Sequence, residues 1–411
     1  MVRTLNKEKQ IIEKIEGSIL TPEGFKASGV YSGVKRKRLD LGAIVCEVPA
    51  NTAAVYTLNK IQAAPLKVTK ESIAKEGKIK ALVVNSGNAN ACTGEQGLKD
   101  AYEMRALSAT KFNCEEHLVA VTSTGVIGEY LQMDKIRNGI ELFELDSSFE
   151  AAENFNQAIL TTDTINKRAC YQTTVDGVTV SIGGVAKGSG MIHPNMATML
   201  SFVTTDANIE SDVLQLALSS ITNQTFNRIT VDGDTSTNDM VVVMASGLAT
   251  HDSLTPAHPD WENFYQALKL TCESLSKQIA RDGEGATKLI EVQVSGALND
   301  HEAGMIAKQI VGSDLVKTAI YGTDANWGRI ICAIGYSGCE VNPEEIDIRL
   351  GSIDTLKNSQ PVHFSEEEAT NYLKNEVVQI FVDLHIGEGF GKAWGCDLTY
   401  DYVRINAGYR T

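Results

Sequence analysis

Short apolar runs alternate with stretches of helical spacing along the whole chain, separated by turns rich in Gly and Asn. Residues 44–48 and 81–85 read as strands, being brief and dominated by β-branched and small apolar side chains. Residues 94–111 then read as a helix that collects Leu98, Ala101, Tyr102 and Leu107 on one face. A strand at 118–122 leads into a glycine-bearing turn at 123–128, and an acidic helix follows around 146–160. The runs 171–174 and 178–182 flank Asp176-Gly177, which predicts a tight hairpin. Beyond it the pattern predicts a buried strand at 199–203, a helix at 214–225 and a strand at 239–245. A long amphipathic helix at 261–281 and a strand at 290–295 come next, and apolar runs at 330–334, 346–350 and 377–384 complete the series. No internal repeat, low-complexity tract or Pro/Ser-rich linker interrupts it, so the two halves are expected to pack closely in a layered α/β architecture.

The hairpin runs directly into Lys187-Gly-Ser-Gly-Met-Ile-His-Pro-Asn-Met-Ala-Thr198-Met-Leu-Ser-Phe202. Gly188, Gly190 and Pro194 cannot continue regular structure, so Thr198 stands at the mouth of the strand that follows. Two readings of Thr198 are open. A β-branched residue belongs naturally in a strand. Alternatively, a cut just before Thr198 frees an α-amine, ordinarily of pKa about 8, that can take the proton of the neighbouring hydroxyl and make it a nucleophile. Lys187 is the one cation of this glycine-rich stretch, either a solvated surface lysine or a holder of a substrate carboxylate. Its order, Lys-Gly-Ser-Gly, is not that of a phosphate-binding P-loop. His193 has no His or Cys near it in sequence and reads as a loop or core histidine.

Composition narrows the functional classes. A chain of 411 residues, 43% apolar and 22% charged, has the make-up of a globular protein of two or three domains. Its net charge of −15 argues against nucleic acid and anionic membranes as partners. One basic run, Lys35-Arg-Lys-Arg38, precedes Asp40 and an apolar strand, and reads as a solvated turn. Eight cysteines without a Cys-x-x-Cys pair suit reduced thiols, and seven dispersed histidines suggest no metal site. No apolar run reaches 18 residues, and the charged N-terminus lacks a signal-peptide core, so a cytoplasmic protein is expected. Asp232-Gly-Asp-Thr-Ser-Thr-Asn-Asp239 lacks the sixth-position Gly and twelfth-position Glu of a calcium loop and reads as a polar turn.

Taken with six further motifs, the Thr198 segment resembles the self-cleavage region of the ornithine acetyltransferase family, the glutamate N-acetyltransferases of arginine biosynthesis also called ArgJ. Those motifs are Asn85-Ser-Gly-Asn-Ala-Asn-Ala-Cys-Thr-Gly94, Ser123-Thr-Gly-Val-Ile-Gly128, Thr161-Thr-Asp-Thr164, Asp282-Gly-Glu-Gly-Ala-Thr-Lys288, Gly322-Thr-Asp-Ala-Asn-Trp-Gly328 and the terminal Tyr400-Asp-Tyr-Val-Arg-Ile-Asn-Ala-Gly-Tyr-Arg-Thr411. The resemblance implies an α/β/β/α sandwich like that of amino-terminal-nucleophile hydrolases, with a larger domain at 1–280 and a smaller α/β domain at 281–411. It implies self-cleavage between Ala197 and Thr198 into chains 1–197 and 198–411, assembled as a dimer of cleaved pairs.

The same resemblance makes Thr198 the nucleophile that takes acetyl from N-acetylornithine and passes it to glutamate, with no bound cofactor or metal. Acetyl-CoA is implied as a second acetyl donor. Thr124 and Gly125 are the implied oxyanion hole, and Thr161, Lys187, Thr198, Glu284, Asn406 and Thr411 the implied substrate contacts. By themselves, Thr124-Gly125 would read as a capped turn, Glu284 as a turn residue and Thr411 as a frayed terminus. A self-processing amidase or aminopeptidase of related fold is the alternative among enzymes. A non-catalytic amino-acid-binding protein is the alternative outside them.

Overall fold

The computed structural model describes residues 12–193 and 199–408, so Ala197, Thr198 and Thr411 lie outside the described residues. Among the described residues, two sheets carry the chain. The first has nine strands, with Leu200–Thr205 and Met240–Ala245 side by side and parallel at its centre. Val178–Lys187 flanks this pair antiparallel on one side, with six register pairs from Lys187↔Leu200 to Ile182↔Thr205. Leu41–Tyr56 flanks it antiparallel on the other, from Met240↔Tyr56 to Ala245↔Asn51. Lys78–Asn88 and Val119–Val126 continue beyond Leu41–Tyr56, and Phe25–Val30 pairs with its first half.

Alternation sorts these strands into faces. Met240, Val242 and Met244 join Leu200 and Phe202 in an inner core to which Ile44, Cys46, Leu82 and Val84 also belong. Helix Phe149–Ile159 enters that core, with Phe155 edge-on to Phe202 at 5.8 Å between ring centroids. On the outer face, Val241, Val243 and Val203 pack under helices Ser211–Gln224 and Trp261–Arg281. The latter buries Phe264, Leu268, Cys272, Leu275 and Ile279, the i, i+3/i+4 stripe of a helix lying on a sheet. Under helices Gly94–Lys111 and Met133–Glu141 lie Leu41, Ala43, Val45, Ala81 and Val83. The outcome is a large sheet with helices on both faces, Phe149–Ile159 on one and Ser211–Gln224 and Trp261–Arg281 on the other, within the layered α/β fold class expected from the sequence.

The second sheet has seven strands, six of them drawn from residues 289–396. The seventh, Ile229–Thr230, comes from far earlier in the chain and pairs parallel with Gly389–Cys396. Helix Asp300–Gly312, capped by Asn299, supplies Ala303, Ile306, Ala307 and Ile310 to this sheet's core. No described helix is long and apolar enough to cross a membrane.

Several elements run further than the sequence pattern indicates, each for a local reason. The hairpin strands are Lys167–Val175 and Val178–Lys187, longer than expected because Gly183 and Gly184 continue the strand instead of breaking it. A Cβ on Gly183 would lie 2.2 Å from the Ser18 carbonyl oxygen, so glycine is what lets that chain approach. The turn is as expected, with Asp176 and Gly177 both at positive φ. Leu41–Tyr56 absorbs Pro49 because its register with Lys78–Asn88 shifts between Val45 and Ala50. Residues 123–126, expected as a turn, belong to strand Val119–Val126.

Candidate functional site

A cleft with about 1040 Å³ of empty volume, partly open to solvent, lies where the ends of the central strands meet the final helix. Its wall includes Thr124, Gly125, Thr161, Lys187, Glu284 and Asn406, six residues scattered over 283 positions of sequence. Met199 and Leu200 also line it, so the described chain resumes in the cleft wall one residue past Thr198.

Thr124 and Gly125 are brought there by a parallel pairing that deforms at its end. Gly125 sits opposite Gly87 with φ of 134°, and a Cβ on it would lie 2.3 Å from the Gly87 carbonyl carbon. Only glycine fits that approach, which replaces the capped-turn reading with a strained strand end. Asparagines brace the spot. Asn238 Nδ2 donates to the carbonyls of Ala89 (2.5 Å) and Ser123 (2.8 Å), tying the two strand ends together. Asn85 accepts from Ser123 Oγ and donates to Asn88 O, and Asn88 donates to Glu129 O and Tyr130 O. The loop from Asn85 to Gly94 thus shapes the wall beside Gly125.

Lys187 ends its strand directly across from Leu200 and is buried, so it is not the solvated lysine of the bland reading. Burial pushes its ammonium below the ordinary lysine range, opposed by the Asp163 carboxylate and reinforced by Lys167. Asp163 is itself fully enclosed. Burial alone would raise its carboxyl, but the ammoniums of Lys187 and Lys167 outweigh that and hold it well below the usual carboxylate range. Its oxygens accept from Lys167 Nζ at 2.7 Å, Gly188 N at 2.6 Å and Thr161 N at 2.9 Å. Lys167 also donates to Asp282 Oδ2 at 2.5 Å, and Asp282 accepts from the Thr164 amide and hydroxyl. One buried Asp163–Lys167–Asp282 triad therefore fixes the Thr161–Thr164 loop, the end of the Lys187 strand and the start of the Glu284 turn.

Glu284 is buried, its amide bonded to Ser189 O and its carboxylate accepting from Asn406 Nδ2 at 2.9 Å. A Cβ on Gly190 would fall 2.5 Å from that carboxylate, so the glycine leaves it room. Asn406 rides on helix Tyr400–Gly408, an element the hydrophobic pattern did not reveal because it has no buried residue.

The Asp232–Asp239 stretch is more than the polar turn expected. Asp232 accepts from the amides of Met191 (2.6 Å) and Ile192 (2.8 Å), and Asp232, Asp234, Ser236, Asn238 and Asp239 all face the cleft. His193 is held by Thr230 Oγ1 at 2.9 Å, and burial with Lys308 nearby lowers it to about 4, leaving it neutral at pH 7. Of the residues that organise the site, Asp163 and Asp282 stood inside quoted motifs without a role, and Asn238 inside a rejected one. Lys167 had no signal beyond its spacing of four from Asp163.

The sequence matches the ArgJ family over residues 26–411. It is 72% identical over 411 residues to an arginine biosynthesis bifunctional protein of Halalkalibacterium halodurans, covering all of both chains. It is 67% identical over 402 residues to the protein of that name from Geobacillus kaustophilus, covering 98% of each. A crystal structure of an arginine biosynthesis bifunctional protein from Bacillus halodurans matches with a TM-score of 0.51 and 79% identity, covering 52% of this chain and 100% of the solved one.

Proposed function

Because this chain belongs to the ArgJ family, we propose that it moves acetyl from N-acetylornithine to glutamate through an ester on the Thr198 hydroxyl. In this reading the chain cuts itself between Ala197 and Thr198, and acetyl-CoA serves as a second acetyl donor. The observation that carries it is the convergence of Thr124, Gly125, Thr161, Lys187, Glu284 and Asn406 on one cleft whose wall begins again at Met199. The cut draws support from the solved relative, a half-length chain that spans the same share of this sequence as 198–411 does.

The chemistry proceeds in two halves. The freed α-amine of Thr198 takes the hydroxyl proton as the oxygen attacks the acetyl carbonyl, and ornithine leaves with a proton on its amine. Glutamate's amine then attacks the ester, and the threonine oxygen recovers its proton. The oxyanion of each tetrahedral intermediate sits between the Thr124 hydroxyl and the Gly125 N–H. Glu284, buried and paired only with an amide donor among the described residues, suits the ammonium end of the amino acid, while Lys187 suits its carboxylate. Thr161 supplies a hydroxyl at the rim, and Thr411 is assigned to the same substrate contacts.

Purified protein given N-acetylornithine and isotopically labelled ornithine, without glutamate, should move the label into N-acetylornithine. If glutamate is acetylated under conditions where no such exchange occurs, the acetyl-enzyme is excluded. Thr124→Val, which deletes the hydroxyl donor and keeps the shape, should lower kcat by about 10²–10³-fold, the usual loss for one oxyanion donor. A folded variant of unchanged kcat would remove the Thr124 hydroxyl from that role.

A further inference from the structure

We propose that the cationic loop Lys35–Arg38 anchors the phosphorylated nucleotide end of acetyl-CoA, an assignment that rests on reading acetyl-CoA as the second acetyl donor. The loop abuts the cleft wall from two sides. Val34 and Lys35 side chains lie 3.3 Å and 3.1 Å from where a Cβ on Gly87 would stand, and Gly87 is the residue against which Gly125 is pressed. Lys35 Nζ reaches Leu160 O at 2.5 Å, next to Thr161 in the wall. Lys35 is therefore partly buried, contrary to the solvated-turn reading, and burial lowers it to about 8.

Its three neighbours point the other way. Arg36, Lys37 and Arg38 are exposed, and none makes an ion pair among the described residues. Asp40, the one acid between Tyr31 and Asp40, is buried and accepts from the amides of Ser32, Gly33 and Lys35. The outer face of the loop thus keeps its positive charge, and Lys135, donating to Gly33 O at 2.6 Å, stands beside it. On a chain of net charge −15, this patch is where a polyanion would be drawn. Tyr31 adds a half-exposed ring whose hydroxyl is tied to Arg36 O, a fixed face next to the cations.

The ligand chemistry fits this layout. A long flexible arm separates the thioester of acetyl-CoA from its diphosphate and 3′-phosphate. A donor whose acetyl carbon meets Gly125 must therefore place its phosphates outside the cleft. Arg guanidinium groups match phosphate oxygens in pairs, and lysine adds a point charge. Neither ornithine nor glutamate carries a group that reaches this loop's outer face.

The test compares native protein with the triple variant Arg36→Ser, Lys37→Ser, Arg38→Ser. Each exposed charge contact contributes a factor of a few, so the variant should raise the KM for acetyl-CoA about tenfold. Its KM for S-acetylpantetheine, which lacks the phosphates, and its rate with N-acetylornithine should stay at native values. An acetyl-CoA KM unchanged in the variant overturns the proposal, as does an equal loss with S-acetylpantetheine. Native protein that acetylates glutamate from N-acetylornithine but never from acetyl-CoA overturns the reading beneath it, and the proposal with it.

Discussion

Thr198→Ala is expected to yield one uncut chain of 44.5 kDa with no acetyl transfer, where the native protein should yield two fragments. The variant loses the attacking oxygen for both events, and removing a nucleophile that works with its base costs on the order of 10⁶-fold in kcat. Thr198→Ser keeps a hydroxyl and should still cut and still turn over. Because the proposed base is an ordinary α-amine, the native rate should rise with pH until that amine is deprotonated, near pH 8. Denaturing electrophoresis and N-terminal sequencing read the first effect, and steady-state kinetics the second. Full activity in the alanine variant, or in native protein that remains a single chain, would end the amino-terminal nucleophile account.

Lys167→Met should destabilise the fold by about 3–5 kcal/mol, because it leaves Asp163 and Asp282 enclosed without the ammonium between them. The melting temperature should fall by roughly 5–10 °C. The same triad predicts acid sensitivity. Asp163 has a carboxyl depressed in the folded protein, so its stabilising contribution is fully present above its unfolded value near 4 and is lost as pH falls through the folded one. Thermal melts from pH 7 down to pH 3 should therefore show native protein losing stability faster than Lys167→Met. Parallel curves for the two, or an unshifted melt at pH 7, would mean the triad does not hold the loops together.

The hydrophobic pattern made the central strands and the long Trp261–Arg281 helix legible, because each buries one face along its length. It failed where burial is not periodic. The apolar run ends at residue 182 although Gly183 and Gly184 are strand residues under close packing, and helix Tyr400–Gly408 buries nothing that could mark it. Within the site, the motif match picked out Lys187 and Glu284, both of which the fold buries beside the cleft. Asn238 escaped notice because it donates to carbonyls more than 100 positions away, and Lys167 because only one of its two carboxylate partners is near it in sequence, relations that only the folded chain displays.

The placement of Leu200–Thr205 bears on what happens after the proposed cut. Its neighbour on one side comes from before residue 198, and its neighbour on the other, Met240–Ala245, leans in turn on Leu41–Tyr56. Two severed polypeptides would thus remain interlaced within the nine-stranded ladder, even though the later one builds the second sheet by itself. Dilution would not part them, and shuffling fragments between molecules would require each to unravel first. In that sense the proposed scission would create a reactive terminus without creating separable subunits.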